Sequence, residues 1–172
     1  MEYEFTLKLG VPGGEANELV ERLGAVGCTD ALVGIGQAGR VALAFTRAAP
    51  SARAAIVSAL KDVRAALPEL RLLEVTPDFV GLSDVAELVD VSRQNMRKLM
   101  LLHAASFPSA VHEGSSAVWH LFPVLKWLQK HADYSVPQSL LEVAHIAMQI
   151  NLAKESRQIE PSVQRELSSL VA

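Results

Sequence analysis

Ser92-Arg93-Gln94-Asn95-Met96-Arg97-Lys98 holds the side chains best suited to chemistry with another molecule. Arg93 and Arg97 carry planar donor forks that match guanine or phosphate oxygens. Gln94 and Asn95 carry the paired amide donor and acceptor that match adenine, and Lys98 can neutralise a phosphate. Ser92 is a good helix N-cap, and Met96, Leu99 and Met100 recur at the spacing of a buried stripe. These residues predict an amphipathic helix over 92–103 whose polar face is either a reading surface or simply hydrated. What precedes it favours the first. Ser83 can cap "DVAELV", which buries Val85, Ala86 and Val89, and the small Ala86 admits a close neighbour. "VDVS" then makes a tight turn with Val91 pointing inward. A bracing helix, a turn and a second helix with an exposed N-terminal half are the parts of a helix-turn-helix.

Other chemistry finds little support. No nucleophile elbow and no phosphate-binding loop is present, so no enzyme activity is expected. Histidines stand at 103, 112, 120, 131 and 145. His112 and His120 could face each other across a hairpin, but a metal site needs two further ligands. Glu142 and His145 form one Glu-x-x-His without the second copy and extra glutamates that di-iron bundles use. Residues 34–39, "GIGQAG", match a dinucleotide fingerprint, yet "RVALAFTR" after them alternates like a strand where that site needs a helix. Hairpin glycines account for the same residues. Cys28, the sole cysteine, excludes an internal disulfide and a thiolate cluster and is expected in the core. Neither cofactor nor metal is expected.

Composition bounds the rest. The chain has 172 residues, half of them apolar, enough for a substantial core in one or two domains. No apolar run approaches the roughly 20 residues that span a bilayer. Met1 leads into Glu2 and Glu4 without a basic or apolar leader, so a cytoplasmic location and no membrane partner are expected. Net charge is −3, which rules out nucleic-acid binding by bulk basicity and requires any such binding to be local. Only residues 81–131 are not acidic.

The elements that must position residues 92–98 are legible on both sides. "YEFTLKL" alternates Tyr3, Phe5, Leu7 and Leu9 as a half-buried strand. A helix follows with Leu19, Val20, Leu23 and Val26 inward, closed near Gly27. "ALVGIG" and "RVALAFTR" predict a hairpin. A second helix after Pro50, capped by Ser51, carries Ala55, Ile56, Ala59, Leu60, Val63 and Leu67. "ELRLLEVTP" adds a last strand. This βαββαβ order predicts a ferredoxin-like sandwich over 1–78. Residues 132–172 predict a long helix opened by Pro137 with Leu140, Leu141, Ala144, Ala147, Met148 and Leu152 on its apolar face. A shorter helix from Pro161 carries Val163, Leu167 and Leu170.

Between these, "DVAELVDVSRQNMRKL" followed by "FPSAVHEGSSAVWHLFPVLKWL" resembles the winged helix-turn-helix domains of prophage regulators and excisionases similar to AlpA, related to the MerR DNA-binding head. The likeness covers about residues 80–130. It implies that Phe107 and Pro108 lead into a small wing turned at Gly114, with Trp119, Val124, Trp127 and Leu128 as packing residues. In such domains the turn usually carries Gly where Asp90 stands here. The wing tip lacks the Arg or Lys that often reach the DNA backbone.

The chain is therefore expected to be an α+β protein in three parts: a ferredoxin-like domain at 1–78, a winged helix-turn-helix at 79–131 and C-terminal helices at 132–172. The expected activity is sequence-specific, prokaryotic transcriptional regulation by a homodimer bound to double-stranded DNA. Ser92, Arg93, Gln94, Asn95, Arg97 and Lys98 would lie in the major groove, and His112, Ser115 and Ser116 would touch the backbone. The rival expectation is an antitoxin-like or phage-related adaptor that docks a protein partner. A third is an effector sensor with the Gly-rich turns at 12–14 and 34–39 lining its pocket.

Overall fold

A computed structural model describes residues 1–12, 16–25, 28–34, 39–131, 134–168 and 170. The expected cap at Gly27, Val26, and most of the Gly-rich turns at 12–14 and 34–39 lie outside the described residues. The architecture is α+β: a four-stranded antiparallel sheet, a small second sheet and helices around both.

Strand β1 (Glu2–Gly10) is central because its alternate residues Tyr3, Phe5, Leu7 and Leu9 are all buried on one face. It pairs along its whole length with β3 (Arg40–Ala48), whose Val41, Leu43 and Phe45 share that face, and Phe5 stacks on Phe45. On its other side β1 pairs with β4 (Arg71–Thr76), and β2 (Ala31–Gly34) completes the order β2-β3-β1-β4. Helices α1 (Ala16–Ala25) and α2 (Ala52–Ala66) connect the strands. Leu19 and Leu23 of α1 are buried, but Val20 is 47% exposed, on the opposite side from its expected place. Ser51 caps α2 by accepting from the Ala54 N–H, and Ala55, Ile56, Ala59 and Val63 close over the sheet.

An ion cluster sits at the β2–β3–α2 junction. Arg47 donates through Nε and Nη2 to both oxygens of Asp30 and through Nη1 to Asp62 and Ser58. The Arg47 hydrogen bonds hold the Asp30 carboxyl below the usual aspartate range. Cys28 lies in the adjoining core, where burial raises its thiol pKa.

The second core is built on β5 (Phe79–Val80), α3 (Leu82–Leu88), α4 (Arg93–Leu102), β6 (Trp119–His120) and α5 (Leu121–His131). Helix α6 (Gln138–Ser156) is not an appendage. Its Val143 and Ala147 belong to the core under the four-stranded sheet, while Ala144 belongs to the second core. Its buried face therefore centres on Val143, Ala144, Ala147 and Asn151, and Leu152, expected on that face, is 47% exposed. Helix α7 (Pro161–Leu167) buries none of its residues. Among the described residues no helix is long and apolar enough to cross a membrane.

One polar joint ties these parts together. Asp78 and Asn151 are the two buried polar residues of the described set. Asn151 accepts from the Val75 N–H and donates to the Val75 carbonyl and to Asp78 Oδ2. The other oxygen of Asp78 lies 2.7 Å from His120 Nδ1, and its carbonyl accepts from the Leu121 N–H. Strand β4, strand β6 and helix α6 thus meet through one carboxylate and one amide.

Candidate nucleic-acid interface

Helix α3 begins two residues earlier than its sequence suggests. Its N-cap is Gly81, whose N–H donates to the Asp84 carboxylate at 2.7 Å, and Ser83 sits inside the helix. An acidic residue in the first turn serves the exposed N–H groups better than the hydroxyl of Ser83, which cannot reach back from within the helix. Val85 and Ala86 are buried, Val89 partly so. The turn to α4 depends on Asp90, which has φ 54°, the left-handed region in which Asp is among the more tolerated residues. This geometry lets the Val91 N–H bond back to the Ala86 carbonyl at 2.9 Å and turns Val91 toward the core.

Ser92 then caps α4 by accepting from the Asn95 N–H at 3.1 Å, leaving its own proton available to a ligand. Met96 is fully buried, and Leu99 and Met100 pack beside it in the second core. With that stripe facing inward, Arg93, Gln94, Asn95, Arg97 and Lys98 are all exposed. Arg93, Arg97 and Lys98 pair with no carboxylate among the described residues. Asn95 is engaged: its Nδ2 donates to the Tyr134 hydroxyl at 3.4 Å.

Beyond α4 the chain makes a short hairpin. Val111 N–H donates to the Val118 carbonyl, and Val118 N–H donates to the His112 carbonyl. The strand continues as β6, which pairs with β5 through Phe79 with His120 and Val80 with Trp119. At the tip His112, Glu113, Gly114, Ser115 and Ser116 are exposed. The His112 imidazole lies over Gly114, with Nε2 2.7 Å from where a Cβ would stand, so a side chain at 114 would displace it. No backbone hydrogen bond joins this tip to α4 among the described residues.

Aromatic packing holds the hairpin to α5. Phe107 meets Trp119 and Trp127 edge-on, with ring centroids 6.2 and 5.1 Å apart. Both indoles are buried, and each N–H finds an acceptor: Trp119 on the Pro108 carbonyl, Trp127 on Ser106 Oγ. His103 lies edge-on to Trp127, and His131 stacks on it.

The charge distribution is more local than whole-segment counting reveals. Residues 91–132 carry five Lys/Arg and a single carboxylate, Glu113, in a chain whose net charge is −3. The acids of this region, Asp84, Glu87 and Asp90, sit on α3 and its turn. Sequence reading missed Tyr134 as a neighbour of Asn95, because it lies at the expected segment boundary. Among the described residues no three His, Cys, Asp or Glu side chains come together to hold a metal ion. No family model, curated protein or solved structure matches this chain.

Proposed function

We propose that this chain is a sequence-specific DNA-binding transcriptional regulator acting as a homodimer, with α4 in the major groove and the 111–118 hairpin as a wing against the adjacent backbone. The observation that carries the reading is the face of α4. Five base- or phosphate-matching side chains are exposed on a helix locked by Met96, and its three cations pair with no carboxylate among the described residues. A winged helix-turn-helix is the finer description of α3, α4 and the hairpin that fits this reading, and the strand order β2-β3-β1-β4 suits a ferredoxin-like description of the N-terminal part. Two copies on two half-sites would double a cation count that is small for one head.

The reading is tested by fluorescence anisotropy against a duplex from upstream of the chain's own gene and against a random duplex, at low and near-physiological salt. Preferential binding that survives the higher salt supports a specific regulator. Equal binding that salt erases leaves only weak backbone attraction.

A specific observation favours the adaptor as the second reading. Leu101 and Leu102, in the last turn of α4, are 59% and 70% exposed, and Val111 of the hairpin is also exposed. Exposed apolar side chains of this kind suit a protein partner, and Leu101→Asp with Leu102→Asp would abolish such docking while sparing DNA.

A further inference from the structure

The two faces of the four-stranded sheet differ in kind. On one, Tyr3, Phe5, Leu7 and Leu9 of β1 and Val41, Leu43 and Phe45 of β3 are buried in the core that α1, α2 and α6 complete. The alternate residues point the other way. Glu2, Glu4 and Lys8 of β1 and Arg40, Ala44, Thr46 and Ala48 of β3 are exposed there, and Leu32 of β2 is 79% exposed.

Strand register arranges this open face in rows. Leu32 lies opposite Ala44, and Ala44 opposite Thr6, which makes one neutral row across three strands. Two and four residues to one side of it along β1 stand Glu4 and Glu2, with Glu2 opposite Ala48. At the same offsets to the other side stand Lys8 and Gly10, with Gly10 opposite Arg40. Glu2, Glu4 and Arg40 form no ion pair among the described residues. Lys8 meets Glu74 at 2.9 Å but stays half exposed, and Arg71, opposite Gly10 on β4, balances the Glu74 charge at that end. The face is thus acidic at one end, basic at the other, and small or apolar between.

Such a pattern is its own complement. A two-fold axis along the neutral row, midway between two stacked sheets, lays each strand in reverse over its own copy. Glu4 then faces Lys8 of the second copy, Arg40 comes over Ala48 beside Glu2, and Leu32 meets Leu32. The small Ala42, Ala44 and Ala48 let the sheets approach within reach of these side chains. A face of one charge sign would call for an unlike partner, whereas this one matches a second copy of the same chain.

We propose that the open face of the sheet is the homodimer interface, closed around a two-fold axis along Leu32, Ala44 and Thr6. This interface rests on the homodimeric part of the proposed function, to which it gives a surface, and requires nothing of DNA binding.

The test is sedimentation velocity on the full chain at a concentration where the wild type is a dimer. Glu2→Lys/Glu4→Lys makes both ends of the face basic, and Lys8→Glu/Arg40→Glu makes both ends acidic. Each variant alone is expected to sediment as a monomer, and an equimolar mixture of the two as a dimer. Recovery on mixing also shows that neither variant lost its dimer by unfolding. Leu32→Lys, which sets like charges together on the axis at an exposed position, is expected to be a monomer with wild-type circular dichroism. Charge variants that stay dimeric alone, or a folded Leu32→Lys that stays dimeric, overturn the sheet interface while leaving the homodimer standing. A mixture that stays monomeric although both variants keep the wild-type circular dichroism overturns it as well. A wild type that is monomeric up to its solubility limit overturns the homodimeric reading and the interface with it.

Discussion

Asn151 Nδ2 donates to Asp78 Oδ2 at 2.8 Å across 73 residues of chain, and both groups are fully buried. Through the other bonds of the pair, strand β4, the His120 imidazole of β6 and helix α6 share one polar joint. A buried amide and carboxylate so placed are stable only while every partner is present. The orientation of the head relative to the four-stranded sheet is accordingly set by groups that tolerate little displacement.

Replacing Asn151 with Leu strands the Val75 N–H and carbonyl and removes a donor from Asp78. The expected loss is about 3 kcal/mol, since each buried polar group left without a partner costs about 1–3 kcal/mol. It is read as a lower Tm. Because α6 contributes to both cores, far-UV circular dichroism and the fluorescence of Trp119 and Trp127 should lose their native values in one coincident transition. Separate transitions in the wild-type chain would show that the joint does not couple the cores.

Arg47 predicts a specific acid sensitivity. Its hydrogen bonds depress the Asp30 pKa in the folded chain, so this carboxylate contributes stability that is present above the ordinary aspartate range. The contribution is lost as pH falls through the depressed folded value. In Arg47→Gln the depression is gone. The gap in stability between wild type and variant should therefore be widest near neutral pH and narrow in strong acid, as followed by denaturant titration across that range. A gap that does not change with pH would contradict the assignment.

Asp90 predicts a backbone effect. At φ 54° a Gly is unstrained, while Ala loses the tolerance that the Asp side chain brings. Asp90→Ala should lower stability by about 1 kcal/mol, and Asp90→Gly should leave it equal or slightly higher. Thermal unfolding of the two variants decides, and a more stable Ala variant would contradict the turn geometry.

Much of this was legible in the sequence because short-range period and capping dominate there. Tyr3, Phe5, Leu7 and Leu9 alternate and are buried; Met96, Leu99 and Met100 recur at helical spacing and face the core; Ser51 and Ser92 cap the helices they precede. What was not legible depends on contacts far apart in the chain. Asn151 reads as one polar residue on an apolar helix until its partners 73 and 76 residues away are known. Val20 and Leu152 fit their helices' apolar periods but fall outside the area the tertiary neighbours cover. In the candidate site, exposure of Arg93, Gln94, Asn95, Arg97 and Lys98 followed from the helix period alone. The approach of Tyr134 to Asn95 did not, since it joins residues 39 apart in the chain.

Whether the exposed face of α4 reads DNA is decided by comparing wild type with Arg93→Ala/Arg97→Ala in fluorescence anisotropy on the upstream duplex at near-physiological salt. Both residues are exposed and pair with no carboxylate among the described residues, so the double variant should keep the wild-type Tm and circular dichroism. A loss of specific affinity of at least about 30-fold is expected, as two lost guanine or phosphate contacts of about 1–3 kcal/mol each would give. A folded double variant that binds the upstream duplex as tightly as wild type would contradict it.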